Sequence, residues 1–198
     1  MKEHDVPDWY IKSCEKIKYM FPKAHAAAYV TNAFRIAWFK VHKPLAYYAA
    51  FFSIRASDEF DSEIMCFGKE KVKNKMKEID LQGNNASQKD KVMYPVLELV
   101  LEMYERGFKF LPMDLYESDS TKFKVDLENN ALRPPLNSIP GLGTVAAKGI
   151  VEARKDGKFM SIDDLKIRSK VGDSVTELLK KFGCLDGMSK SNQISLFG

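Results

Sequence analysis

The chain has 198 residues, enough for one or two domains, and its 45% apolar and 29% charged residues describe a globular protein with a real core. A formal net charge of +4 admits a nucleic-acid partner without requiring one. Cys14, Cys66 and Cys184 are too scattered for a metal site or a disulfide framework, so a reducing, intracellular setting is expected. The polar start Met1-Lys2-Glu3-His4-Asp5 is no signal peptide. The apolar run from Ala24 to Phe39, broken by His25, Asn32 and Arg35, is shorter than the about 20 residues of a membrane span.

Taken in chain order, Trp9 to Met20 reads as a helix, with Trp9, Ile17 and Met20 able to share a face, and Pro22 breaks it. Lys23 to His42 is a second helix, rich in alanine early and aromatic later. Pro44 suits the first turn of a third helix through Phe52. Ser57 to Glu63 is acidic and loop-like, Lys69 to Ile79 is a short charged helix, and Gln82 to Ser87 is a polar linker. Lys91 to Arg106 is amphipathic, with Val92, Val96, Leu99, Val100 and Met103 on one face, and Gly107 closes it.

The pattern then changes. Phe108 to Tyr116 and Lys122 to Leu127 are predicted as two strands joined by the polar turn Glu117-Ser118-Asp119-Ser120. Lys122, Lys124 and Asp126 alternate with Phe123, Val125 and Leu127, which is strand periodicity with one buried face. Asn129-Asn130 signals a turn, and Leu132-Arg133 allows a short third strand. From Pro134 the text is helical again, with Ile162 to Arg168 and Ser174 to Phe182 as short helices around Lys170-Val171-Gly172-Asp173. Ser189 to Gly198 has no periodicity and is expected to be a loose tail.

Three segments carry possible chemistry. The first is Ser138-Ile139-Pro140-Gly141-Leu142-Gly143, which feeds directly into the helical stretch Thr144 to Arg154. Two glycines flanking one apolar residue permit positive φ and a close ligand approach. The turn's amides and the helix N-terminus then face one place, an anion site, and in a basic chain a nucleic-acid phosphate is the natural anion. The same glycines also fit a plain loop-to-helix bend. Val171-Gly172-Asp173-Ser174 is a possible second, degenerate copy that lacks the Pro-Gly-x-Gly form. Together the two resemble a tandem helix-hairpin-helix module, which holds duplex DNA by its phosphates without reading bases. Lys148, Arg154, Lys155 and Lys158 after the first copy, and Lys166, Arg168 and Lys170 before the second, can add salt-dependent phosphate contacts or simply coat a solvated surface.

The second segment is Phe21 to Tyr29. Lys23 lies in the first turn of its helix, and His25 and Tyr29, four apart, share a face separated by small alanines. Something flat or anionic can approach such a face, although an alanine stripe equally suits helix packing. The third segment is Gln193-Ile194-Ser195-Leu196-Phe197, an amide and adjacent large apolar groups suited to a partner's pocket, unless the tail folds back on its own domain.

In this order the three segments resemble the C-terminal part of a bacterial C-family replicative DNA polymerase, the alpha subunit of DNA polymerase III, of the PolC type. The resemblance runs over nearly the whole chain and is strongest at Tyr19 to Tyr48, Ser138 to Arg154 and Gln193 to Phe197. It implies a mainly α fold with a small β-hairpin or sheet element. Residues 1–55 would be fingers helices, 56–133 a helical and β connector, 134–188 a tandem helix-hairpin-helix domain and 189–198 a sliding-clamp-binding tail.

By the same resemblance Lys23, His25 and Tyr29 match the family's Lys-x-His-x-Ala-x-Tyr pattern and would face the incoming deoxynucleoside triphosphate. Gly141, Leu142, Gly143, Thr144, Lys148, Arg154, Lys155, Lys158, Lys170 and Gly172 would hold the primer-template duplex. Gln193, Ile194, Ser195, Leu196 and Phe197 would dock on the sliding clamp, with Ile194 where leucine is more usual. The setting would be cytoplasmic, with no membrane partner.

Polymerase chemistry needs acidic side chains holding two metal ions, and no Asp-x-Asp on a strand is present. Asp58, Glu59, Asp61 and Glu63 read as loop solvation and Asp163-Asp164 as capping. His4, His25 and His42 are not arranged with acids. The resemblance therefore implies a polymerase fragment without palm carboxylates, inactive alone and free of cofactor, with Mg2+ in the palm of its parent. Met1 would then be a fragment start. Two other readings stay open, a stand-alone DNA-binding adaptor docked on the clamp, and a nuclease or ligase accessory domain.

Overall fold

The computed structural model describes residues 1–18, 22–55 and 57–191. The chain divides into two compact units, Met1–His42 and Lys43–Gly198.

The first unit holds α1 (Asp8–Glu15) and α2 (Lys23–His42). The predicted first helix extended to Met20, but α1 ends at Glu15 with Lys16 as its C-cap. Trp9 and Ile17 are both exposed and find no surface to bury against, so little favours lengthening a marginal helix. Helix α2 has the predicted bounds, and its alanines favour the helical state. It buries no residue, and Tyr29, Phe34 and Trp38 are each more than half exposed.

The second unit begins with α3 (Pro44–Ala50), where Pro44 occupies the first turn. A π-turn at Phe51–Arg55 follows. The Ser53 hydroxyl donates to the Ala49 carbonyl and accepts from the Phe123 amide, so the turn is tied to the strand region. Where a plain acidic loop was expected, α4 (Ser62–Met65) begins, because the Asp61 carboxylate accepts the Ile64 amide and caps it. Helices α5 (Lys69–Gln82) and α6 (Gln88–Glu105) pack together. Ser87 caps α6 by accepting the Asp90 amide. Tyr48, Phe52, Met65, Leu97 and Met103 fill the first core. The rings of Phe52, Phe60, Phe110 and Phe123 gather there with centroids 4.8 to 6.0 Å apart.

The strands β1 (Lys109–Phe110), β2 (Lys124–Asp126) and β3 (Ala131–Arg133) form a small sheet in the order β1-β3-β2. The predicted pair joined by the 117–120 turn therefore does not pair with itself. β3 lies between the two, parallel to β1 and antiparallel to β2. The reason lies in residues 114–122: the Asp114 carboxylate accepts the Tyr116 and Glu117 amides, and Asp119 accepts those of Thr121 and Lys122. That segment spends its backbone on side-chain turns rather than on a ladder. Nor is the expected apolar face buried. Phe123 is, but Val125 and Leu127 are exposed, since β2 is an edge strand running toward the Asp126–Asn129 turn.

The second core is built by α7 (Thr144–Ala153), α8 (Ile162–Ser169) and α9 (Asp173–Lys181), with Leu136, Ile139, Leu142, Ile150, Leu165 and Leu179 inside. Gly149 lets α7 approach the end of α8: a Cβ there would lie 2.7 Å from the Ser169 carbonyl oxygen. The tail starts docked rather than loose, because the Ser189 and Lys190 carbonyls accept the Ile162 and Asp163 amides at the head of α8. The fold is thus mainly α with one small sheet, as the sequence implied.

Candidate nucleic-acid interface

The first glycine turn has a definite geometry. A 3-10 turn at Leu136–Ser138 delivers the chain to Ile139, whose carbonyl accepts the Leu142 amide at 3.0 Å. Gly141 sits at φ 88°, the left-handed region, and Leu142 points back into the second core. Gly143 is the N-cap of α7, and its carbonyl accepts the Ala147 amide as the first bond of the helix. The amides of Thr144, Val145 and Ala146 thus come before any intrahelical acceptor. No side chain caps them among the described residues. Thr144 is exposed, and its hydroxyl accepts from the Asn137 amide group at 3.4 Å. The helix dipole adds positive potential at the same point.

This tip forms one wall of a cleft of about 400 Å³, with residues 57–61 and Lys89 opposite. Asp58, Glu59 and Asp61 line the same cleft, and their charge disfavours an anion inside it.

The basic residues behind the turn differ in availability. Lys148 is exposed one turn along α7. Lys155 pairs with Glu152, and the Lys158 ammonium stands 5.9 Å from the centre of the Tyr116 ring. Arg154 points inward and donates to the Leu115 carbonyl at 2.6 Å. Burial lowers its pKa, opposed by the nearby charges of Asp119, Glu117 and Asp114. Arg168 is a clamp on the loop between α7 and α8. Its guanidinium donates to the carbonyls of Ala153, Gly157 and Lys158 and to the Asp164 carboxylate, and it lies 4.6 Å from the centre of the Phe159 ring. The Met160 amide and Arg168 hold the Asp164 carboxyl below its ordinary range.

The second turn repeats the backbone of the first. Lys170 takes the left-handed position at φ 57°, Val171 is buried, and Gly172 is the uncapped N-cap of α9. Asp173 begins that helix, and the Lys166 ammonium pairs with it.

Residues 107–194 match the helix-hairpin-helix motif family. Over all 198 residues the chain is 54% identical to a DNA polymerase III PolC-type of Clostridium perfringens. From end to end, this chain matches PolC-type DNA polymerase III. The PolC-type polymerases of Caldanaerobacter subterraneus subsp. tengcongensis and Bacillus subtilis are 55% and 54% identical over 197 residues. In each comparison all of this chain is covered, and the chain spans 14% of the PolC relative's length. The helix-hairpin-helix match covers both glycine turns of this PolC-like chain.

Lys23, His25 and Tyr29 lie on α2 of the first unit, all exposed, with the His25 and Tyr29 ring centroids 4.4 Å apart. Gln193 to Phe197 lie outside the described residues. Among the described residues no three His, Cys, Asp or Glu side chains gather as metal ligands, and no helix is long and apolar enough to cross a membrane. Asp164 is bound to the head of its own helix, its amide accepted by the Ser161 hydroxyl oxygen.

Two residues and one ion pair of the interface were not legible beforehand. Asn137, which orients Thr144, had only its place ahead of the Ser-Ile-Pro-Gly run as a signal. Gly149 sits in a small-residue stretch, Ala146-Ala147-Lys148-Gly149, that hints at close packing. The pairing of Lys166 with Asp173 leaves no local trace, because it depends on where α8 ends.

Proposed function

We propose that this chain is the part of a replicative DNA polymerase that grips the primer-template duplex by its phosphates. One observation supports the reading above others: the Gly141-Leu142-Gly143 turn presents the uncapped amides of Thr144, Val145 and Ala146 at an exposed tip. Lys148 adds charge beside it, and Lys155, Lys158 and Lys170 extend the contact around the module. Lys23, His25 and Tyr29 face the deoxynucleoside triphosphate, the lysine toward the triphosphate and the tyrosine as a flat surface or steric check. All three are exposed, whereas a buried core at these positions would have favoured the adaptor. Gln193 to Phe197 dock on the sliding clamp, with Leu196 and Phe197 filling its pocket. The carboxylates that hold two Mg2+ ions belong to the palm of a longer polymerase, and this chain alone transfers no nucleotide.

The test is duplex binding by fluorescence anisotropy, with two unrelated sequences across a salt series. Affinity should be equal for both sequences and fall steeply with salt. Gly143→Ala places a methyl group in open space in front of the amides and should weaken both duplexes equally. Loss for one sequence only would mean base readout and would overturn the proposal.

A further inference from the structure

The two turns share a backbone and differ in what their tips carry. In the first, Gly141 at φ 88°, buried Leu142 and Gly143 lead into α7 at Thr144. In the second, Lys170 at φ 57°, buried Val171 and Gly172 lead into α9 at Asp173. The correspondence puts a cation where the first turn has glycine and a carboxylate where it has a threonine hydroxyl.

Both exchanges have consequences. Asp173 is the first residue of α9, so its negative charge stands where a phosphate would meet the helix amides. The Lys166 ammonium holds it there, and the two hold each other ionised: the pKa of Asp173 is lowered by Lys166 and that of Lys166 raised by Asp173. A phosphate approaching those amides is repelled, and the nearest cation is already engaged.

Lys170 occupies the left-handed region, which strains a residue with a Cβ and costs glycine nothing. Asp5, Asn130 and Lys170 are the non-glycine residues with positive φ among the described residues, and Asp and Asn are types that tolerate it. Lys170 is exposed, and no carboxylate pairs with it among the described residues. A strained lysine at the tip of a phosphate-binding fold is explained if its ammonium has a use outside the chain.

We infer that the second turn holds a duplex phosphate through the Lys170 ammonium and not through its helix amides. This rests on the first turn binding duplex as proposed above. The grip is then unequal on its two sides. The amide cradle at Thr144–Ala146 has fixed geometry, whereas an ammonium on a four-carbon stem follows its phosphate over a range of positions.

The experiment measures duplex affinity, its salt dependence and thermal unfolding for Lys170→Gly, Lys170→Asn, Gly172→Ala and Gly143→Ala. Lys170→Gly should raise the melting temperature by relieving the left-handed strain. It should also weaken binding several-fold and reduce the salt slope by about 0.9, one phosphate contact. Lys170→Asn, also tolerant of that backbone, should weaken binding alike. Gly172→Ala, whose methyl meets nothing within 4 Å, should leave binding unchanged. Unchanged binding in both Lys170 variants would overturn the inference, and so would a loss in Gly172→Ala matching that of Gly143→Ala. A loss in the Lys170 variants with none in Gly143→Ala would instead refute the amide reading of the first turn and leave the Lys170 contact standing.

Discussion

The fully buried Ser62 hydroxyl donates a 2.7 Å hydrogen bond to the Ser138 carbonyl, 76 positions further along the chain. One partner begins α4 beside the first core, and the other precedes the glycine turn of the second. The next residue, Glu63, accepts from Lys181 at the end of α9, and the rings of Phe67 and Phe182 lie 5.9 Å apart. A four-residue helix thus holds both halves of the second unit. Ser62→Ala should destabilise that unit by about 1–3 kcal/mol, the cost of a buried carbonyl left without its donor. Urea unfolding checks it, and an unchanged midpoint would mean that the Ser138 carbonyl finds another partner.

Gly149→Ala sets helix propensity against packing. Alanine favours an isolated helix, but here its Cβ would lie 2.7 Å from the Ser169 backbone oxygen. Backbone cannot swing aside as a side chain can, so overpacking should win, with a net loss of about 1–3 kcal/mol. Because α7 and α8 carry the two turns, duplex affinity should fall with stability. A stabilised variant would show that the helices separate at no cost.

The Asp164 carboxyl contributes a pH-dependent part of stability. Its pKa is lowered in the folded chain by the Met160 amide and Arg168, so its contribution is present above the ordinary aspartate value of about 3.9 and disappears as pH falls through the lowered value. Asp164→Asn should therefore be less stable than the parent at neutral pH, and the gap should close on acidification below about pH 4. Urea midpoints measured from pH 7 to pH 2 give the two curves, and parallel curves would exclude this origin.

The tryptophans report on the first unit. Trp9 is 72% and Trp38 51% exposed, so native emission should resemble that of hydrated indole and be quenched by iodide. A blue shift growing with protein concentration would mean that α2 covers itself by self-association, as an exposed apolar helix tends to do.

Removing residues 1–42 should leave duplex binding and its salt dependence intact, because every proposed contact to a duplex phosphate belongs to the unit Lys43–Gly198. Replacing Leu196 and Phe197 with alanine should abolish sliding-clamp binding and leave duplex binding unchanged. Parallel loss of both activities would make the tail a structural part of the interface.

Helices with strong local signals were legible. Pro44 at a first turn, alanines through Lys23–His42 and the apolar stripe of Val96 to Met103 each act within a few residues of themselves, whereas Val92, expected on the same stripe, is exposed. The glycine turn was legible for the same reason, since positive φ at Gly141 and a bare N-cap at Gly143 are local demands. The strands were misread because Asp114 and Asp119 capture nearby amides, and because the partner of both strands, Ala131–Arg133, is only three residues long. Arg154 and Arg168 read as surface cations like their lysine neighbours. Their guanidinium groups instead satisfy backbone carbonyls, Leu115 for one and Ala153, Gly157 and Lys158 for the other, and no spacing in the sequence announces which carbonyls will be left open.

Neighbouring residues alone fix the mainly helical class, the place of the Gly141–Gly143 turn and the resemblance to a replicative polymerase, because periodicity, glycine placement and motif order are local properties. Tertiary structure alone decided which cations remain available to a ligand, how the sheet is ordered and that the second turn copies the first with Lys170 at its left-handed position. Those outcomes depend on pairs such as Ser62 with Ser138 and Lys166 with Asp173, which meet only after the helices pack and which burial, not local propensity, selects.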